Sequence, residues 1–253
     1  MELQELYEHF EEEKRLFHGY ASQVEYLTTM HYIHQYANTQ AQILEIGAGC
    51  GAYSLALARR GIPLLRWNRL KSMFRLWKAE KQGIWISLFW NVTPHTCRRT
   101  GIQSLTWFSA SVPVSPFENT GAATGYRAAC RVCKNKGILM FAYIPHDMVM
   151  ATETMHVEGF LTGDEIDAKT FSFTMTVCVH DEQSIDELFH PFPLEKLKHV
   201  AADGLAELMS ERINRFTAEE FQVWMRYHLK TCEKPSFLGH SNHNLFIARK
   251  NSR

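Results

Sequence analysis

The sequence lacks any apolar run near the roughly 18–20 residues that a membrane-spanning helix needs, and its formal net charge is +0. These two absences argue against a membrane-spanning protein and against a general electrostatic attraction to nucleic acid. Cysteine is sparse, with six residues scattered over 253, which favours reduced thiols over a disulfide framework. The first residues are acidic and amphipathic, unlike a secretory signal. We therefore expect a cytoplasmic protein with neither a membrane nor a nucleic-acid partner.

Aspartate is missing from the segment between Pro63 and Ala129, although the rest of the chain is acidic. This segment has nine Lys and Arg against two Glu, and it carries five of the six Trp. Such a change in composition marks a boundary. We expect a single domain with an N-terminal helical cap (1–40), a strand–turn–helix unit (41–62), an anomalous segment (63–129) and a C-terminal half (130–253).

Apolar periodicity and helix-capping signals predict strands that alternate with helices, as in an α/β fold with a mostly parallel, doubly wound sheet. Gly61 supplies the stop signal of one of these helices, and two Ser/Thr-x-x-Glu capping boxes mark the starts of two others. The predicted helices cover 2–17, 22–37 and 52–60 and begin again at Ser184 and Thr217; the predicted strands cover 42–47, 136–145, 171–180 and 244–250.

The turn after the first predicted strand contains Gly47, Gly49 and Gly51. Glycines there allow a tight turn, and the free N–H groups of the following helix suit a nucleotide-like ligand. Gly47, Gly49 and Ala52 also satisfy a loose dinucleotide fingerprint, so an NAD-dependent oxidoreductase stays an alternative. Glu45 argues against it, because a dinucleotide fold normally has an apolar residue at that place in the strand.

The stretch "LEIGAGCG" (44–51) resembles the first motif of class I S-adenosylmethionine-dependent methyltransferases, in which the acidic residue helps to order the glycine loop and the methionine end of the cofactor. Further segments resemble a bacterial small-domain subgroup of that family: 24–33, 131–145 and 208–250. The resemblance implies a Rossmann-like fold and methyl transfer from S-adenosylmethionine to an unidentified acceptor, with no metal. It implies cofactor contacts for Glu45, Gly47, Gly49 and Gly51, and it names no catalytic base.

Two features that the resemblance leads us to expect are missing from the anomalous segment. An acid that grips the cofactor ribose is due near position 67, where Trp67 stands, and a fourth-strand motif of the type FDLVLxxGP is absent. Residues 103–113 can be encoded by codons that translate as EFDLVLCFGP when their first two letters are removed. The same shift turns 63–70 into VTAVEPV, which ends an apolar strand with an acid. We therefore hypothesise that residues 63–129 are read out of frame, through compensating insertions and deletions or sequencing errors.

Two further alternatives remain open, one to the out-of-frame hypothesis and one to a working enzyme. Taken at face value, Leu70, Met73, Phe74 and Trp77 lie on one face of a possible basic amphipathic helix, which suits a membrane surface or a partner's groove. The chain could also be a damaged relic that binds the cofactor weakly or not at all.

Three pairs of residues have metal-ligand spacing without a third ligand, and we interpret each as structural. His31 and His34 lie one turn apart in a predicted helix, Cys130 and Cys133 form a lone C-x-x-C, and His240 and His243 fall in a predicted turn between the last strands. Asp181 and Glu182 are interpreted as solvated loop acids.

Overall fold

The computed structural model describes residues 15–38, 41, 43–46, 51–62, 64–67, 86–88, 129–130, 133–173, 179–180 and 182–252. The α-helices of this part are α1 (Tyr20–Tyr36), α2 (Ala52–Ala58), α3 (His146–His156), α4 (Glu182–Phe189), α5 (Ser210–Ile213), α6 (Ala218–Thr231) and α7 (Pro235–Leu238), with 3₁₀ turns at Arg15–Phe17 and Phe160–Thr162. The strands are β1 (Ile43–Ile46), β2 (Leu64–Trp67), β3 (Ile86–Leu88), β4 (Ile138–Pro145), β5 (Ile166–Asp167), β6 (Ser172–Phe173), β7 (Val179–His180), β8 (Leu194–Ala201) and β9 (Asn244–Lys250). None of the described helices combines the length and the apolar character that crossing a membrane requires.

The strands form a parallel sheet of order β1-β2-β3, a mixed sheet of order β7-β4-β9-β8, and the small antiparallel pair β5-β6. Strand β9 runs antiparallel to both β4 and β8, so those two strands run in the same direction. In the described part of the chain, three strand pairings are parallel and three are antiparallel. The mixed α/β architecture is therefore confirmed, whereas a mostly parallel sheet stays a prediction.

One apolar core joins the two larger sheets to helices α1 and α2. Each fully buried Leu or Ile side chain stabilises the fold by about 1.5–3 kcal/mol relative to its exposed state. The buried members of this core are Met30, Tyr32, Ile33, Ala41, Ile43, Leu57, Ile62, Ile138, Met140, Val200, Cys232, Leu245 and Ile247. Because this core spans α1, β1, β4, β8 and β9, it fixes the strand–turn–helix unit against the mixed sheet.

The carboxyl ends of β4 and β8 and the start of β9 lie at one edge of the mixed sheet. Asn244, the first residue of β9, pairs with Tyr143 near the end of β4 and with Ala201 at the end of β8. Segments that leave β8 and enter β9 therefore meet at this edge. In open α/β sheets, ligands bind outside the carboxyl ends of the strands.

Most of the predicted elements that fall on described residues are confirmed. Helix α1 matches the predicted 22–37, α2 matches 52–60, and β1, β4 and β9 match the predicted strands at 42–47, 136–145 and 244–250. Thr217 caps α6 through a complete capping box, in which the Glu220 backbone N–H donates to the Thr217 hydroxyl at 3.2 Å and the Thr217 N–H donates to the Glu220 carboxylate at 2.7 Å. The predicted helix 2–17 lies mostly outside the described residues, and its last three form the first 3₁₀ turn.

One of the predicted elements is wrong, and another is described only near its two ends. In the predicted strand 171–180, Ser172–Phe173 pairs with Ile166–Asp167 and Val179–His180 pairs with the end of β4, whereas 174–178 lie outside the described residues. Ser184 does not cap a helix, because α4 begins at Glu182 and Ser184 lies inside it. The Glu187 carboxylate instead accepts a 2.8 Å hydrogen bond from the Gln183 amide.

Candidate functional site

Glu45 is a buried carboxylate near the end of β1. Glu45 is 1% exposed, and its Oε2 accepts a hydrogen bond from the hydroxyl of Ser54 in the first turn of α2. A charge taken out of water is costly unless donors compensate it, so this contact stabilises the carboxylate. It also ties the end of β1 to the start of α2 across the glycine turn.

Gly51 is the N-cap residue of α2 and has a φ of +84°. A residue with a Cβ is strained in this left-handed conformation, which glycine adopts freely. The Gly51 carbonyl accepts the N–H of Leu55 at 2.9 Å and so begins the helix. Gly47 and Gly49 lie outside the described residues, so the structure brings together Glu45 and Gly51 from the four predicted cofactor contacts.

A second polar cluster lies where α1 meets the loops that follow β8 and precede β9. The His243 Nδ1 is 2.8 Å from Asp203 Oδ2 and 3.4 Å from Glu25 Oε2. Asp203 Oδ1 accepts the hydroxyl of Ser241 at 2.5 Å and the backbone N–H of His243 at 3.1 Å. Arg15 donates from its two terminal nitrogens to the two Glu25 oxygens, at 2.5 and 3.2 Å. We call Arg15, Glu25, Asp203 and His243 the acid–histidine cluster.

The charges of this cluster shift the pKa values of its members. Burial alone would raise the pKa of Glu25, but the Arg15 guanidinium and His243 outweigh it and lower that pKa to about 2. Burial would lower the pKa of His243, but the Glu25 and Asp203 carboxylates raise it above its ordinary value. Burial, reinforced by Asp203, raises the pKa of the neighbouring Glu207.

Tyr53 links the acid–histidine cluster to the glycine turn. It is the second residue of α2, and its hydroxyl donates to Glu25 Oε1 at 3.4 Å. Its ring also stacks on Tyr26 of α1, with centroids 5.5 Å apart. Burial, together with the Glu25 charge, raises the pKa of Tyr53 well above its usual value, so the phenol stays protonated. The cluster therefore lies one side chain away from the start of α2.

Glu25, Asp203 and His243 have oxygen and nitrogen atoms within 4.8 Å of one another, close enough to surround a metal ion. Arg15 already neutralises Glu25, and a protonated His243 would neutralise Asp203, so the charges balance without a divalent ion. No other such group occurs in the part of the chain that the structure describes. We therefore interpret the cluster as a proton-binding network.

The other candidate ligands lie elsewhere. His31 and His34 are exposed and contact Gln35 and Arg60. Cys130 and Cys133 are buried free thiols, and burial raises their pKa values to about 12 and about 11. Thiols of this kind stay protonated at neutral pH and are poor nucleophiles and ligands.

His240 and His243 behave differently, although the sequence predicts the same turn for both. His240 is exposed and contacts the Ser236 carbonyl at 2.9 Å, whereas His243 belongs to the acid–histidine cluster. The sequence does not reveal the partners of His243, because Asp203 and Glu25 lie 40 and 218 residues away from it along the chain. Asp181 lies outside the described residues, and Glu182 is the first residue of α4 rather than a loop residue.

A further buried network connects β4, β8 and β9. The Tyr143 hydroxyl lies 2.7 Å from His199 Nε2 and accepts the Asn244 amide at 3.1 Å. Burial lowers the pKa of His199 to about 4, so this imidazole is neutral at physiological pH.

The fold is shared with solved S-adenosylmethionine-dependent methyltransferases. One from Archaeoglobus fulgidus is 11% identical, with a TM-score of 0.55, and the match covers 98% of this chain and 100% of that chain. One from Methanosarcina mazei is 16% identical, with a TM-score of 0.50 and coverage of 88% and 98%. A mycolic acid cyclopropane synthase in complex with S-adenosylhomocysteine is 12% identical, with a TM-score of 0.50 and coverage of 88% and 84%.

These identities establish the fold alone: the chain has the Rossmann-like fold of class I methyltransferases. No protein-family model matches the sequence, and no curated protein matches it.

Proposed function

We propose that the chain binds S-adenosylmethionine at the turn between β1 and α2 and transfers its methyl group to an acceptor. The observation that carries this proposal is the buried Glu45 carboxylate, which Ser54 holds beside a left-handed Gly51 in a methyltransferase fold. A carboxylate of this kind suits the cationic methionine end of the cofactor, and a glycine N-cap leaves room for its nucleoside. An NAD-dependent oxidoreductase has no comparable use for an acid at position 45.

When bound, the cofactor supplies a methyl group on a positively charged sulfur, which is a good leaving group. The chain's own contribution is then to bind, align the acceptor and exclude water. We assign the cofactor contacts to Glu45, Gly47, Gly49 and Gly51.

On the ribose side of the proposed cofactor site, the chain has Trp67 where the resemblance leads us to expect an acid. Strand β2 ends at Trp67, which pairs with Ile46 at the end of β1. An acid that holds the ribose hydroxyls would belong at this strand end. The frame-restored sequence has a glutamate where Trp67 and the next residue stand, which supports the proposal that 63–129 is read out of frame.

A second candidate function follows from Trp67: a damaged methyltransferase relic. The charge-assisted hydrogen bonds that a carboxylate accepts from the ribose hydroxyls are each worth about 1.5–3 kcal/mol, so losing even one of them weakens binding by about ten- to a hundredfold. The relic and the enzyme therefore differ in cofactor affinity.

Calorimetric titration of this chain and of a frame-restored chain tests the proposal. With S-adenosylmethionine and S-adenosylhomocysteine, we expect this chain to bind and the restored chain to bind about ten- to a hundredfold more tightly. Binding of NAD alone would support the oxidoreductase. If this chain shows no detectable binding of any of the three ligands, the relic is supported. Equal affinities in both chains, or source DNA that confirms the present frame in independent isolates, would refute the frame hypothesis.

A further inference from the structure

The two nitrogens of the His243 ring face different surroundings. Nδ1 lies 2.8 Å from an Asp203 oxygen and 3.4 Å from a Glu25 oxygen. Ionised carboxylates only accept hydrogen bonds, so Nδ1 carries the proton and donates it. The lone pair of the neutral ring is therefore on Nε2.

Nε2 of His243 has no close acidic neighbour among the described residues. Its contact is Arg15 Nη1 at 3.5 Å, which is at the limit of hydrogen bonding. The side chains of His243 and Arg15 are 25% and 30% exposed, whereas Glu25 and Asp203 are 10% and 8% exposed. The cluster thus buries its two acids, while the side chains of His243 and Arg15 stay partly exposed.

The cluster also lies at the sheet edge where ligands of open α/β folds bind. Asp203 follows β8 and His243 precedes β9, at the edge of the mixed sheet where the carboxyl ends of β4 and β8 lie. Tyr53 connects Glu25 to the start of α2 beside the glycine turn. His243 and Asp203 therefore lie at the carboxyl-end edge of the mixed sheet, and Tyr53 links their cluster to the start of α2.

We propose that His243 is the general base that removes a proton from the methyl acceptor, and that Asp203 is the positioning residue that fixes its tautomer. This rests on the proposed function and narrows its substrate class to acceptors whose nucleophilic atom carries a proton, such as a hydroxyl, a phenol or an ammonium group. A carboxylate that orients an imidazole in this way is a recurrent arrangement of enzyme bases.

The nucleophilic atom of the acceptor forms a bond to the methyl carbon while the carbon–sulfur bond breaks, and the electron pair of that bond stays on sulfur. The acceptor's proton moves to Nε2 of His243 and afterwards to water. Nδ1 keeps its proton on the hydrogen bond to Asp203 throughout.

The charges around His243 raise its pKa above the ordinary value of a histidine. The Glu25 and Asp203 carboxylates favour the imidazolium, whereas burial and the Arg15 guanidinium oppose it. The titratable and charged groups around the ring are Arg15, Glu25, Tyr53, Asp203 and Glu207, with His156 and His228 beyond them. A base with a raised pKa takes up a proton more readily.

The test is an NMR titration of the histidine rings in complexes with S-adenosylmethionine and with S-adenosylhomocysteine. The two ligands differ by one methyl group and one positive charge. A sulfonium about 7 Å from the ring, at an effective dielectric constant of about 40, lowers the pKa of His243 by about one pH unit in the S-adenosylmethionine complex. His243→Asn, whose amide can still donate to Asp203, identifies the signal, and His240→Asn is the matched control on the exposed neighbour.

The outcomes separate the two proposals. A lower pKa of His243 with S-adenosylmethionine, together with a fall of about one pH unit or more in Asp203→Asn, supports the general base. Identical pKa values of His243 in two complexes that both form would overturn it, because the ring would then lie far from the transferred methyl group. If calorimetry detects neither complex, the proposed function itself fails.

Discussion

Glu25 should make the stability of the fold depend on pH in the acid range. Its folded-state pKa of about 2 lies below the ordinary 4.5, so its contribution is present above pH 4.5 and is lost as the pH falls toward 2. The difference corresponds to about 3 kcal/mol at pH 5 and about 1.5 kcal/mol at pH 3. The side chain is 10% exposed, so solvent screening reduces this value little.

The variant Glu25→Gln removes this contribution, and urea denaturation from pH 5 to pH 3 measures it. We expect the difference in unfolding free energy between parent and variant to shrink by about half over this range. Glu158→Gln is the matched control, because Glu158 is an exposed residue outside the cluster. A difference between parent and Glu25→Gln that stays constant from pH 5 to pH 3 would refute the assigned ion pair with Arg15.

Three further predictions concern residues outside the proposed site. Thr217→Ala should lower the unfolding free energy by about 1 kcal/mol because the capping box of α6 is lost, whereas Ser184→Ala should cost less in the same urea assay because Ser184 caps no helix. Cys130 and Cys133 should react with a disulfide reagent at pH 8 far more slowly in the folded chain than in urea, since burial keeps both thiols protonated; equal rates would contradict this. Burial lowers the pKa of His199 to about 4, so on acidification this imidazole binds a proton in the unfolded state before it does so in the folded state. The free energy of unfolding should therefore fall by up to about 3 kcal/mol from pH 6.5 to pH 4. His199→Gln should remove this pH dependence.

The sequence predicts the parts of this fold that local signals specify. The run before Gly47 predicts β1, the Thr217 capping box predicts the start of α6, and the apolar run 244–250 predicts β9 to the residue. Glu45 and its unusual place before a glycine turn also point to the cofactor site. These features depend on neighbours within a few residues, which the sequence displays directly.

The acid–histidine cluster could not be predicted in this way. Glu25, Asp203 and His243 come from a helix and two loops, and only the pairing of β8 with β9 and the packing of α1 bring them together. The Ser184 capping box is wrong for a different reason, because α4 already begins at Glu182 and Ser184 lies inside the helix. A short motif therefore does not by itself fix the residue at which a helix begins.

The most direct test of the cofactor site compares two glycines at the two ends of the same helix. Gly51 and Gly61 both have positive φ angles, +84° and +73°, so an alanine at either position costs about 1–2 kcal/mol of backbone strain. A Cβ at Gly61 meets nothing within 4 Å. If S-adenosylhomocysteine binds at the glycine turn, calorimetry will show that Gly61→Ala binds it with the affinity of the parent chain, whereas Gly51→Ala binds it about tenfold or more weakly. Equal affinities of the two variants for S-adenosylhomocysteine would contradict the account.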